Sequence, residues 1–306
     1  MTQENSGSSM WSIIKNIFLL LIFLQIAPGL VLNIKKQYIK FFTPQTQVGV
    51  IPIKGVLYDS SSYTKHLNTF FKEPSIKAIL LRIECPGSAS GTAQALFNEI
   101  QMLKKQYNKP IITLVENVCA SGGYYIASST DYIIASGTAT VGSIGAYLPA
   151  FQLKEFIEQF KIQYTPIKAG AYKTLTDPFA TRTPAETELL QAMTNDIYAQ
   201  FTQDIATQRK LSLQTIDSWA NGKIFTAKQA LDLQLIDELG SAYNAIAKIK
   251  DKALIDGEIE WVHPPQESSW AGLFESSSED DSSSMFNVMM NRICSFLELK
   301  YCSQSF

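Results

Sequence analysis

An α/β domain with parallel strand pairing is predicted for residues 45–265. Short, almost wholly apolar runs of strand length recur along this stretch, and segments with apolar residues at helical spacing separate them. On both sides the composition changes, to a long apolar run before it and a Ser/acidic stretch after it.

Val48–Leu57 reads as the first strand and Ala78–Ile83 as a second, largely buried one. Ala93, Leu96, Ile100, Leu103 and Tyr107 then recur at helical spacing. Ile111–Val115 is another buried strand, followed by a helix from about Ser121 and a strand at Tyr132–Ala135. A long helix opens at Thr183-Pro184-Ala185-Glu186, where Thr183 can cap, Pro184 suits the first helical position and Glu186 completes a capping box. Its apolar face is Leu190, Met193, Ile197, Phe201 and Ile205. Shorter helices are expected from Ser212, from Thr226 and after Gly240.

The flanks divide the rest. Residues 1–10 form an N-terminal tail. Residues 11–32 are nearly continuously apolar, and as a helix would span about 33 Å, enough for a bilayer core. An uncleaved transmembrane anchor is expected over a cleaved signal peptide, because Gln25 and Pro28 fit poorly around a cut after Ala27. Lys15 precedes the run while Lys35, Lys36 and Lys40 follow it in the linker 33–44, so the positive charges oppose an extracytoplasmic domain. Residues 266–284 read as a disordered Ser/acidic linker. Residues 285–306 read as an amphipathic helix, with Phe286, Met289, Ile293 and Phe296 on one face, expected to dock on another subunit.

Composition narrows the chemistry. Lys and Arg total 26 against 28 Asp and Glu, which gives no basic field for nucleic acid. The two histidines, His66 and His263, lie far apart without metal-ligand spacing, so a hydrolase here takes its base elsewhere. The four cysteines form no CxxC or zinc pattern. Cys294 and Cys302 are about 12 Å apart on a helix, too far to bond within it. Cys85 and Cys119 each follow a strand and are expected as buried free thiols. There is no P-loop, and no cofactor or metal is expected.

Two turns carry the candidate chemistry. Cys119-Ala120-Ser121-Gly122-Gly123 links a buried strand to an apolar helix, which exposes the serine hydroxyl and sets its neighbouring amides at a positive helix end. Cys85-Pro86-Gly87-Ser88 makes the same strand-to-helix connection. In a parallel sheet, such turns open on one crevice, so Gly122 from one and Ser88 or Gly87 from the other can offer N–H groups to a developing oxyanion.

Ala-Ser-Gly-Gly-Tyr-Tyr-Ile-Ala at 120–127, Gly-Ser-Ile-Gly at 142–145, Ala-Tyr-Lys-Thr at 171–174 and Asp177-Pro178-Phe179 follow in one order. With the stretches 222–230 and 235–240, they closely resemble the bacterial signal peptide peptidase A family over about residues 48–250. The resemblance implies a fold of the Clp/crotonase kind, a repeated ββα superhelix. It also implies a homo-oligomer that encloses its active sites, and a Ser–Lys dyad with Ser121 as nucleophile and Lys173 as general base. A serine needs a base to become nucleophilic, and a lysine serves only as its neutral amine. Ser143 matches a family serine that orients the lysine. The family usually carries Pro-Gly-Gly where this chain has Pro86-Gly87-Ser88, which puts the second oxyanion donor in question.

The function expected is a membrane-anchored serine endopeptidase, independent of ATP, that degrades cleaved signal peptides or other short apolar peptides. Its partners would be those peptides, further copies of itself and the lipid bilayer, with the protease domain extracytoplasmic. A crotonase-like acyl-coenzyme A enzyme and a catalytically silent membrane scaffold share the fold and stand as alternatives.

Overall fold

A computed structural model describes residues 14–25, 27–29, 31 and 45–265. From residue 45 strand and helix alternate: β1 (Gln45–Lys54), α1 (Ser61–Lys72), β2 (Ile76–Cys85), α2 (Ser90–Tyr107), β3 (Ile111–Ala120), α3 (Gly122–Ser128), β4 (Tyr132–Ala135) and β5 (Thr140–Gly142). After an excursion bearing the short α4 (Lys154–Gln159) come α5 (Pro184–Arg209), α6 (Ile216–Trp219), β6 (Ile224–Thr226), α7 (Ala227–Asp232), β7 (Glu238–Leu239), α8 (Ala242–Ala253) and β8 (Glu258–Val262).

The strands form one sheet in the order β6-β5-β3-β2-β1-β8, with β4 also on β3 and β7 on β4. Every pair is parallel except β5 with β6. β3 forks the sheet: residues 112–115 pair β4, and residues 118–120 pair β5. The fork falls where burial of the strand lapses, around Glu116 and Asn117.

Strand side chains alternate between two cores. Ile51, Ile53, Leu81 and Ile83 pack with Leu67 and Phe71 of α1 and Leu96 and Ile100 of α2. Val48, Val50, Leu80 and Leu114 pack with Ala245 and Ile249 of α8. Apolar cover on both faces explains why these strands are continuous apolar runs and not alternating ones. Gly49 lets α1 come close, since a Cβ there would overlap the Phe70 ring.

The expected helix starts are present. Thr183 Oγ1 accepts from the Glu186 N–H at 3.2 Å, and Glu186 Oε2 accepts from the Thr183 N–H at 2.8 Å. Matching boxes open α7 at Thr226 and α8 at Ser241. Ser212 caps a 3-10 turn, Leu213–Thr215, ahead of α6. The apolar face of α5 needs correction. Leu190, Phe201 and Ile205 are buried, but Met193 and Ile197 are 48% and 38% exposed, so two of the five positions are not in the core.

Residues 14–25 are helical with exposed side chains, and among the described residues no helix is long and apolar enough to cross a membrane. Part of the expected span 11–32 lies outside the described residues, as do the tail 1–10, the linker 33–44, the linker 266–284 and the helix 285–306.

The second half of the domain is fastened by Asp237. Its carboxylate takes two 2.9 Å bonds from the Arg209 guanidinium at the end of α5 and a 2.7 Å bond from the Ile133 N–H of β4. Arg209 is only 10% exposed, so truncating its partner leaves a charge out of water. Asp237→Ala is expected to lower the unfolding free energy by about 3 kcal/mol, measured by denaturant titration. A change below about 0.5 kcal/mol, the usual range for a surface site, would contradict this account.

Candidate active site

Cys85 and Cys119 are register partners, so β2 and β3 end level and their following turns lie side by side. Both cysteines are free and buried, and burial pushes both thiols above the ordinary cysteine range. Such thiols are poor nucleophiles. The residue presented is two positions on.

Ser121 occupies φ 51°, ψ −124° between β3 and α3. A left-handed φ at a non-glycine residue costs about 1–3 kcal/mol and persists only when its surroundings hold it. Here the Ser121 N–H donates to Gly142 O at 2.7 Å, and Ser121 O accepts from the Tyr125 N–H at 3.0 Å. Residues 122–128 behind it are all buried, whereas Ser121 itself reaches solvent. The strain thus projects one hydroxyl from a sharp turn.

Gly122 begins α3, where an N–H has no intrahelical acceptor. A Cβ on Gly122 would fall 2.8 Å from Ser88 Cβ and 2.9 Å from Ser88 N, and nearer still to Ser88 Oγ. The two turns therefore touch backbone to backbone. Leu57 fixes the other side of Ser88: its N–H donates to Gly87 O at 3.2 Å, and its carbonyl accepts from the Ala89 N–H at 2.8 Å. In this parallel bridge the Ser88 N–H points away from Leu57, toward the Gly122 side. A Cβ on Gly87 would lie 3.8 Å from Ser121 Oγ, so Gly87 borders the hydroxyl. The Ser88 hydroxyl donates to Ala89 O at 3.0 Å.

Ser143 directly follows the Gly142 carbonyl that holds Ser121. It also has a left-handed φ, 53°, and its N–H donates to Lys223 O at 2.7 Å. Ser88, Ser121, Gly122 and Gly145 open on one cavity of about 270 Å³. Lys173 is not one of its walls. It sits in an exposed turn whose neighbouring Lys168 Nζ donates to Ala171 O and Thr174 Oγ1 at 2.8 and 2.9 Å. Asp177 braces the next bend, accepting from the Tyr164 hydroxyl and from the Phe179 N–H.

The remaining walls were not expected from sequence. Ser90, Gly91, Ala93 and Gln94 of α2, Tyr125 of α3, and Ile197, Gln200 and Phe201 of α5 complete the cavity. Tyr125 reads as a core aromatic, and Ile197 and Phe201 as a helix face. Only the approach of α5 to α2 and α3 gives them a shared space. Among the described residues no group of three His, Cys, Asp or Glu side chains is placed to hold a metal ion.

The sequence profile of peptidase family S49 matches residues 103–256, half of the chain, including Ser121, Ser143 and Lys173 but beginning after the Gly87-Ser88 turn. A protein of Methanocaldococcus jannaschii named as a candidate protease is 33% identical over 195 residues, 64% of this chain and 62% of that protein. A candidate signal peptide peptidase SppA of Enterococcus faecium is 27% identical over 203 residues, 66% of this chain and 59% of its own length. The chloroplastic serine protease SPPA of Arabidopsis thaliana is 32% identical over 183 residues, 58% of this chain and 26% of that protein. The aligned part of this chain thus spans about three fifths of the archaeal and enterococcal relatives, and about a quarter of the plant one.

Gly122→Ala is expected to cost about 1–3 kcal/mol by forcing the two turns apart. Adding Ser88→Gly removes the hydroxyl and Cβ that the new methyl strikes, so the double variant should recover part of the loss. Chemical denaturation of the two single variants and the double variant checks this. Strict additivity would show that the turns are not in contact.

Proposed function

This chain belongs to peptidase family S49, and on that premise we propose that it is a serine endopeptidase working by a Ser–Lys dyad. Ser121 is the nucleophile, Lys173 the general base and Ser143 the group that orients the lysine amine. The N–H groups of Gly122 and Ser88 receive the oxyanion, with Gly87 keeping the approach to Ser121 open. The observation that carries this reading is the strained Ser121 turn, pressed against the Ser88 backbone at the mouth of a cavity.

The chemistry follows from the groups. Lys173 takes the proton of Ser121 as Oγ attacks the scissile carbonyl carbon. The carbonyl oxygen becomes negative between the two amide donors, which are already aimed and need no reorganisation. The lysine ammonium returns its proton to the leaving amine, and an acyl-enzyme remains. Water then attacks the acyl carbon, giving its proton to the same lysine, which returns it to Ser121 Oγ as the acyl C–O bond breaks.

Lys173 stands outside the cavity in the single chain, so the reading requires assembly. We take the protein as a homo-oligomer, of the Clp/crotonase kind, in which a Lys173 turn is brought to each Ser121 cavity. The Lys173 excursion carries Tyr147, Phe151, Phe156, Phe160 and Ile167 between 58% and 101% exposed, an apolar surface suited to a second copy. Residues 11–32 are proposed as a single membrane anchor with the domain on the extracytoplasmic side. Substrates are then short apolar peptides, cleaved signal peptides among them, as the name of the Enterococcus relative suggests for that protein.

Incubation with a fluorophosphonate should label Ser121 and no other residue, as read by peptide mapping. Ser121→Ala should abolish peptide hydrolysis with assembly intact. Lys173→Ala should be as damaging, and the double variant hardly worse, because groups acting as one unit are strongly non-additive. Wild-type rates in oligomeric Ser121→Ala protein would end the proposal. Independent, multiplying losses would reduce Lys173 to a binding residue.

A further inference from the structure

Strand β3 carries two residues more than its pairing with β2 uses, and the surplus decides which residues face each other at the site. Paired residues differ by 32 positions as far as Ile83 and Val115, and by 34 at Cys85 and Cys119. Glu116, Asn117 and Val118 thus stand opposite Glu84 alone, as a bulge in β3. The offset of 34, carried on past the strand ends, sets Ser121 against Gly87 and Gly122 against Ser88. Those are the two contacts of the site. A Cβ on Gly87 would lie 3.6 Å from Ser121 Cβ, and one on Gly122 would overlap Ser88. At the earlier offset of 32, Gly87 would face Cys119. Ser121 would then stand about 6–7 Å out of place, the rise of two strand residues.

A bulge leaves backbone amides without ladder partners, so something else must receive them. Glu116 and Asn117 lie between the stretch of β3 that pairs β4 and the stretch that pairs β5, so neither strand serves them. Glu84 does. Its Oε1 accepts from the Asn117 N–H at 3.1 Å and from Asn117 Nδ2 at 2.7 Å. Glu84 is itself anchored on β1, where Lys54 is its register partner and the Gly55 N–H donates to its carbonyl at 2.9 Å. Arg82 also reaches Glu116 across the same two strands, at 2.5 Å. Those side chains are 50% and 41% exposed, and a surface ion pair of that kind holds little. One carboxylate therefore closes the bulge. It works from the other face of the sheet: Glu84 lines a groove with Val50 and Arg82, whereas the Ser121 cavity is walled by α2, α3 and α5.

We propose that Glu84 is a positioning residue for the peptidase reaction: by closing the β3 bulge it holds the Ser121–Gly122 turn level with the Gly87–Ser88 turn, and so sets the spacing of the two amide donors. The inference rests on Ser121 being the nucleophile and on the Gly122 and Ser88 N–H groups receiving the oxyanion. Glu84 touches no reacting atom. Without it the Asn117 amide turns to water, the bulge relaxes, and the Gly122 amide leaves the place where negative charge develops. Substrate binding in the ground state uses the cavity walls, which the bulge does not build. The loss therefore falls on kcat and spares KM.

The test uses the purified full chain and a peptidyl coumarylamide with Leu before the cleaved bond. Glu84→Ala should lower kcat by about tenfold to a hundredfold, less than the loss of a whole oxyanion donor. Its KM should stay within about twofold of wild type. Glu84→Gln keeps an oxygen at the Oε1 position and should retain kcat within about threefold. Glu116→Gln, which alters only the exposed ion pair, should leave both constants within about twofold. Thermal unfolding followed by circular dichroism shows whether each variant is folded at the assay temperature. Should Glu84→Ala not fold, Glu84→Asp, one methylene short of the Asn117 amide, carries the same expectation. A folded alanine or aspartate variant with kcat within about twofold of wild type, or with its loss in KM alone, overturns the inference. So does a folded glutamine variant that falls as far as alanine. In either case the dyad stands if Ser121 still takes the fluorophosphonate. Wild-type protein that cleaves nothing and whose Ser121 takes no fluorophosphonate overturns the dyad, and the inference with it.

Discussion

Gly122 and Ser88 meet where there is room for one Cβ and not two. That contact is possible only because β2 and β3 end in register at Cys85 and Cys119, and the register is set by parallel pairing along most of both strands. Moving either strand by one residue would turn its buried side chains to the opposite face and carry its turn out of reach. The position of the candidate nucleophile therefore depends on the apolar core of the sheet, far more than on any bond made by Ser121 itself.

The fork in β3 completes the arrangement. Its first half lies against β4, and its second half leaves that partner for β5. By ending on β5, the strand places the Gly142 carbonyl opposite the Ser121 N–H, the bond that holds the left-handed turn. A residue in that conformation needs restraint from several sides. The restraint comes from the buried α3 behind it, β5 on one side and the Ser88 turn on the other. Strain and packing on three sides then hold one hydroxyl at the end of β3.

Much of this was legible in the sequence, and the boundary follows physical lines. The strands β1 to β4 announce themselves because both faces are covered, and covered strands are apolar throughout. The capping box at Thr183 is a local contract between neighbouring residues, so it survives without tertiary information. By contrast, β5 and β7 have three and two residues, too few for any periodicity. Met193 and Ile197 sit in helical phase with true core positions, and phase alone does not say where the core stops. The turns bearing Ser121, Gly122, Gly87 and Ser88, which the structure sets side by side, could be read because turn chemistry is written locally. The cavity walls could not, because Gln94 and Gln200 become neighbours only when α5 crosses back over α2. Lys173 was named from a motif, and the single chain leaves it apart from the cavity the same motif led to.

The hydrogen bond from Ser121 to Gly142 has one more implication, for the life of the chain before it is folded. The groups that shape the site come from three separated stretches: the Ser88 turn, the Ser121 turn and β5. Contacts of such long sequence separation form late, since loop closure must come first. While the chain is still emerging or is trapped half-folded, Ser121 is an ordinary relaxed serine without its turn or its contact with the Ser88 backbone. On the proposed reading the fold carries its own delay: cutting waits until the chain has become a shape that resists cutting.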